Sequence, residues 1–185
     1  MRRGDLSPGV RLSGSAIFST CGCYRYRLDR TFATGQIAVG FLLHNPSIAS
    51  ADRDDHSLRR GLGFARSWGA ARLIYINPYA RIATQPGGLF DCVDPIGPEN
   101  DRHIGQVAAE LASAGGFLVA AFGSFGRNAG ERSAIARRRA RVLAIVMAKG
   151  CELRALALTK DGTPRHLARL PAGLAPRPWG PAGWQ

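Results

Sequence analysis

The apolar run Ile37-Ala38-Val39-Gly40-Phe41-Leu42-Leu43, followed by His44-Asn45-Pro46-Ser47, decides the fold. It is short, rich in aliphatic residues and closed by turn formers, which is the pattern of a buried strand. A second run, Leu73 to Ile76, is followed by Asn77-Pro78-Tyr79-Ala80-Arg81 and repeats the pattern. Proline has no N–H to give a ladder, so each strand must stop there. Each strand therefore leaves a short polar side chain at its carboxyl end. In open α/β sheets that edge binds ligands, which makes Asn45 and Asn77 the first candidates for a site. Asn-Pro is also ordinary turn punctuation.

The elements around these strands can be read outward from them. Ala16 to Phe18 reads as a short strand. Tyr24 to Leu28 alternates in the strand manner, with Arg25 and Arg27 on one face. A polar loop from Ala49 leads to a helix over Asp55 to Trp68, capped by Asp54 or Asp55 and ended by Gly69. The loop from Pro78 to Glu99 is long and rich in Gly, Pro and Asp, as functional loops often are. A helix capped by Asn100 or Asp101 runs to Ala114, and a strand follows over Phe117 to Phe122, ending at Gly123-Ser124-Phe125-Gly126. Glu131 to Lys149 reads as a helix with Arg137, Arg138, Arg139 and Arg141 on an exposed basic arc. A fourth buried strand, Leu153 to Leu158, ends in Thr159-Lys160-Asp161-Gly162-Thr163-Pro164-Arg165-His166.

Strands alternating with helices imply a parallel sheet covered on both faces. The expected fold is α/β, a three-layer α/β/α sandwich on about four core strands, mostly parallel. Residues 1–15 read as a flexible lead-in, 16–179 as one domain, and 180–185 as a tail; Pro171 to Gln185 is expected to wrap the surface. Right-handed crossovers would bring Asn45, Asn77, Gly123 and the Thr159–His166 loop to one edge.

Composition narrows the partners. The 185 residues suit one domain with its own core. Lys and Arg number 25 against 13 acidic residues, a formal charge of +12, which points to a polyanion, most naturally DNA or another nucleic acid. Only Lys149 and Lys160 are lysines; arginine suits phosphate because its planar fork holds two oxygens at once. Arg25, Arg27, Arg81, Lys160 and Arg165 are the candidates for tracking phosphates. There is no long apolar run and no signal-peptide core, so no membrane association is expected and the cytoplasm is the expected location. Cys21, Cys23, Cys92 and Cys151 lack metal-finger spacing; neither a metal nor another cofactor is expected. Composition leaves the oligomeric state open.

Neither a Walker loop nor GxGxxG occurs. A Ser47–His166–Asp55 triad can be written on paper, but no nucleophile elbow supports it. The motif series itself is the stronger signal. Phe18 to Leu28, Asn45-Pro-Ser47, Asp54-Asp55, Arg60, Gly63-Phe-Ala-Arg-Ser-Trp-Gly69, Asn77, Asp94 to Asp101 and Leu158 to His166 resemble the bacterial DUF1643 family over about Phe18 to Trp179. That family label carries no activity. More distantly, the order of motifs resembles the uracil-DNA glycosylase superfamily. The resemblance implies that the loop holding Asn45, Pro46 and Ser47 places a water-activating residue. It likewise implies that Asn77 reads a flipped base and that the Thr159-to-His166 motif stabilises the leaving base. The chain departs from the superfamily in having Leu167 after His166 and Ser47 where a glycine is usual, and it lacks iron–sulfur cysteines.

The residue types suit that chemistry. Breaking an N-glycosidic bond puts positive charge on the sugar and negative charge on the base. An Asn amide can hold water, and an imidazole can donate to the base. The expected function is hydrolysis of an N-glycosidic bond of a damaged or modified base, in DNA or a related nucleotide. The catalytic candidates are Asn45, His166 and Asp55. Pro46, Ser47, Asn77, Tyr79, Arg81, Gly123, Lys160 and Arg165 are the substrate-binding candidates, Tyr79 as a stacking platform. Two alternatives stand beside it: a non-catalytic nucleic-acid-binding module, and a metal-dependent hydrolase using Asp54, Asp55 and His166.

Overall fold

The computed structural model describes residues 13–32, 35–47, 54–83, 86–181 and 183–184. Most of the expected lead-in and most of the Ala49–Asp54 loop lie outside them. The strands are β1 (Ser13–Phe18), β2 (Arg25–Thr31), β3 (Ile37–Leu42), β4 (Ala70–Ile76), β5 (Phe117–Ala120), β6 (Glu152–Ala155), β7 (Arg177–Gly180) and β8 (Gly183–Trp184). The helices are α1 (His56–Ser67), α2 (Asn100–Ser113) and α3 (Ala129–Ala148).

The strands lie in the order β1-β2-β4-β3-β5-β6-β7-β8. The four buried runs form a parallel centre, β4-β3-β5-β6, with antiparallel strands outside it. Two cores flank the sheet. Leu58, Leu62, Phe64 and Ala65 of α1 pack with Val39, Phe41, Tyr75 and Val119 on one face. Ile104, Val107 and Leu111 of α2 and Val142 and Val146 of α3 pack with Leu42, Ile74, Leu118 and Leu153 on the other. The fold is mixed α/β in three layers. Among the described residues no helix is long and apolar enough to cross a membrane.

Several local expectations change. Asp55 does cap α1, its Oδ1 accepting from Leu58 N at 2.8 Å. Neither Asn100 nor Asp101 caps α2; the cap position is Glu99, without a side-chain bond. Asn100 is buried instead, donating to the Asn77 and Pro78 carbonyls. The basic arc on α3 is broken. Arg138 is 6 % exposed and donates to Pro78 O, because the loop after β4 folds over it and offers that carbonyl. The long loop after β4 is a brace: Ala80 O accepts from Arg25 N, and Tyr24 donates its hydroxyl to Asp94 O. The C-terminal stretch does not merely wrap the surface. It adds β7, whose Trp179 enters the α2/α3 core.

Arg25 and Arg27 do not share a face. Phe18 pairs with Arg25 while Ile17 pairs with Arg27, so a β-bulge at Tyr26 breaks the alternation. Arg25 turns toward α1 and is 5 % exposed. Arg27 turns toward α2, where Asp29 and Glu110 hold it at 2.7 Å each.

Candidate functional site

The chain leaves β3 for β4 on one side and later enters β5 on the other. The connections above β3 and β5 therefore diverge, which opens a crevice at their carboxyl ends. Two clefts lie there, of about 380 and 260 Å³, and both are bordered by Phe125 and His166. Gly123, Thr159, Arg165 and Arg169 line the larger. His44, Asn45, Ser47, Asp55 and His56 line the smaller.

Asn45 is held firmly. Its Nδ2 donates to Pro46 O at 3.0 Å and to Ala83 O at 2.8 Å. Both amide hydrogens are spent on the loop, which leaves the Oδ1 acceptor for whatever enters the cleft. His166 is equally constrained. Its Nδ1 accepts from Ala168 N at 3.2 Å, so the ring proton sits on Nε2. Burial lowers its pKa; Asp55 opposes that shift, and His56 and Arg169 reinforce it. The imidazole is thus neutral at pH 7, with burial as the main cause. One Asp55 oxygen is bound to the start of α1, and the residue borders the same cleft.

His44 was quoted in the sequence only as part of a turn. It is 2 % exposed, and neither ring nitrogen has a hydrogen-bond partner among the described residues. Burial, helped by Arg139 and His166, lowers its pKa to about 3. Phe125 stacks on it at 4.4 Å and meets the His166 ring edge-on at 6.4 Å. Glycines in positive-φ conformations, Gly123 (φ 68°) and Gly126 (φ 117°), flank the Phe125 turn. A Cβ on Gly123 would lie 3.0 Å from the His166 Cβ, so glycine there allows the β5 loop and the His166 loop to touch. Arg139 donates to Gly123 O at 2.6 Å and lies 4.2 Å over the Phe122 ring.

Asn45, Ser47, Asp55, Gly123, Arg165 and His166 are brought to this edge, and Pro46 anchors the Asn45 amide. The other candidates are elsewhere. Asn77 is 2 % exposed and lines neither cleft; its carbonyl is tied to Asn100 under the brace loop. Tyr79 is also 2 % exposed, packed between His44 and Phe90, so it is a core aromatic and not a stacking platform. Arg81 lies over Tyr24, and Lys160 is exposed on the Thr159 turn; neither lines a cleft. Arg25 is not on a phosphate-tracking surface. It reaches the floor, lining a small pocket of about 40 Å³ with Asn45, Asp55 and His166. Arg27 is on the opposite face of the sheet, held by its carboxylates. Asp54 is ion-paired with Arg30 at 2.6 Å. Among the described residues no three His, Cys, Asp or Glu groups converge as metal ligands. The signal that could have found His44 was its place, directly after a buried strand and before Asn45.

The family model described as "Protein of unknown function (DUF1643)" matches residues 25–166. The chain belongs to the DUF1643 family. No curated protein and no solved structure matches it. The DUF1643 match starts at Arg25, on the cleft floor, and ends at His166, on the cleft wall. The DUF1643 match thus spans most of the residues that line the crevice, with Ala168 and Arg169 just past its end.

Proposed function

We propose that this DUF1643 protein hydrolyses an N-glycosidic bond, releasing a damaged or modified base from DNA or from a related nucleotide. The observation that carries this is the pairing across one cleft of Asn45, with only its carbonyl oxygen uncommitted, and a neutral His166 with its proton on Nε2. Asn45 Oδ1 accepts from a water and holds it beneath the sugar. As the bond to the base breaks, the electron pair stays on the base and the water oxygen bonds to the sugar carbon. Asp55 takes the water's proton. His166 Nε2–H donates a hydrogen bond to the base as it becomes negative, and the proton on Asp55 later neutralises the base. Arg165 and Arg169, on the wall of the larger cleft, suit the flanking phosphates.

The experiment is mass spectrometry of free bases released from a panel of modified DNAs and nucleotides. Base release by the wild type and its loss in Asn45→Ala is the expected result. Absence of release from every substrate, or unchanged release by Asn45→Ala, overturns the assignment.

A further inference from the structure

We propose that His44 is the residue that reads the base, and that Phe125 is the cover that a base displaces to reach it. This rests on the base-release function above, and names the residue that selects among its substrates. It also moves base reading from Asn77, which lies under the brace loop after β4, to the end of the adjacent parallel strand β3.

His44 borders the smaller cleft beside Asn45, yet it is 2 % exposed and both ring nitrogens are without partners among the described residues. Buried polar groups in folded proteins are nearly always satisfied, and an unsatisfied one in a cleft wall points to a ligand. The ring is neutral, so it offers one N–H donor and one lone pair. The edge of a base, which carries both donors and acceptors, can meet either nitrogen in the ring plane, whereas a bare phosphate, an acceptor only, can meet only the N–H.

What covers the imidazole is an aromatic ring stacked at 4.4 Å and 27° from parallel. With that ring moved off its face, the imidazole is free to turn about its Cβ–Cγ bond and present a nitrogen to the edge of a base in the cleft. The cover is built to move. Gly123 and Gly126 flank it, and the ring can swing about its own side-chain torsions while the Gly123 backbone stays tied to Pro164 and Arg139. Phe125 is itself only half-buried and borders both clefts, so the larger cleft can receive it. A base held at a His44 nitrogen then has its sugar near Asn45 and Asp55, which share the His44 wall.

The test uses the full chain with ¹⁵N-labelled histidine. Uracil, thymine, cytosine, adenine, hypoxanthine and guanine, with their nucleosides, are added one at a time at millimolar concentration. The His44 ring nitrogens are followed by NMR. At least one base should shift them saturably. His44→Phe, which keeps the aromatic shape, should weaken binding of that base at least tenfold. His44→Asn should change the order of preference among bases. Phe125→Ala should tighten binding, since the competing cover is gone. If no base moves the His44 signals, or if His44→Phe binds as the wild type does, the proposal is overturned. Base release measured on the same samples separates the two claims. Release that continues unchanged in His44→Phe sinks His44 as the reader and leaves the glycosylase assignment intact. Base binding at His44 without any release does the reverse.

Discussion

Two polar clusters sit on this sheet, and they are built in opposite ways. On the α2 face, Arg27 and Arg72 share Asp29 and Glu110; Arg27 is 2.7 Å from each carboxylate and Arg72 2.6 Å from Asp29. Every charge there has an opposite charge. At the carboxyl edge, among the described residues, the His44 nitrogens have no hydrogen-bond partner, Asn45 keeps one acceptor uncommitted and His166 keeps one donor. A closed network of charges holds strands together. An open set of neutral polar groups costs stability and waits for a ligand. Net charge alone does not separate the two, because arginines serve both.

The comparison is most easily broken at Asp29, which is 4 % exposed. Asp29→Ala leaves Arg27 and Arg72 competing for Glu110 in a partly buried setting. Removing one partner of a buried pair typically costs about 3–5 kcal/mol, and the loss here should be at the lower end because Glu110 remains. Urea denaturation at pH 7 measures it. A loss within about 0.5 kcal/mol, the range of an ordinary surface change, would mean that this cluster is not structural.

The opposite outcome is expected at the edge. His166→Ala and Asn45→Ala should each slow single-turnover base release by about a hundredfold or more, while leaving stability nearly unchanged. If either variant instead unfolds like Asp29→Ala, the two clusters do the same job and the contrast fails. Wild-type rates in both would transfer the chemistry to Asp55 or away from this edge.

The sequence made some of this division visible and hid the rest. The parallel centre was legible because β3, β4, β5 and β6 are apolar runs punctuated by Asn-Pro or Gly. Local pattern carries that information. Asn45 was legible for the same reason, as a polar residue just past a strand; His166 lies well beyond β6, at the end of the loop that carries the Thr159 turn, and its motif rather than its position marked it. The fate of the arginines was not. A single extra residue at Tyr26 sends Arg25 into the cleft floor and Arg27 to the opposite face, and period-two alternation cannot register a bulge. Arg138 and Asn77 are buried by a loop that folds back from far along the chain, a tertiary event with no local signature. His44 was hidden because a histidine in a turn looks solvated until the Phe125 turn is placed over it.

pH sharpens the contrast. The His44 pKa is about 3 in the folded protein, against an ordinary value of about 6.5. The native state therefore refuses a proton that the unfolded chain accepts. Stability from this source is complete above about pH 6.5 and is lost as the pH falls toward 3. By pH 5 the loss should reach about 2 kcal/mol. The burial-lowered pKa values of His103 and His166 act in the same direction. His44→Phe removes only the share of His44. It should match or exceed the wild type at pH 7, since two unsatisfied nitrogens become carbon, and should lose less between pH 7 and pH 5. Equal losses in the two proteins, read by denaturant titration, would mean that His44 is protonated without penalty and is not truly buried.

The smallest effect concerns charge that is exposed and, among the described residues, has no ion-pair partner. Arg165 is exposed and lines the larger cleft. Arg154 is the natural control: it pairs with Glu152, and its guanidinium lies 4.0 Å over Phe117, the first residue of β5, so it belongs to the other end of that strand. If DNA follows the carboxyl edge, Arg165→Ala removes one phosphate contact. The slope of log affinity against log salt should then shrink by about one, with a severalfold loss of binding near physiological salt. Arg154→Ala should leave the slope unchanged even where it lowers stability, because its charge is already answered by a carboxylate. Fluorescence anisotropy of a short labelled single strand across a salt series reads both variants. Equal slopes for Arg165→Ala and the wild type would detach the basic rim from nucleic acid. A slope change confined to Arg154→Ala would move the phosphate path to the amino end of the sheet, away from Asn45 and His166, and would leave the crevice to a free base or nucleoside.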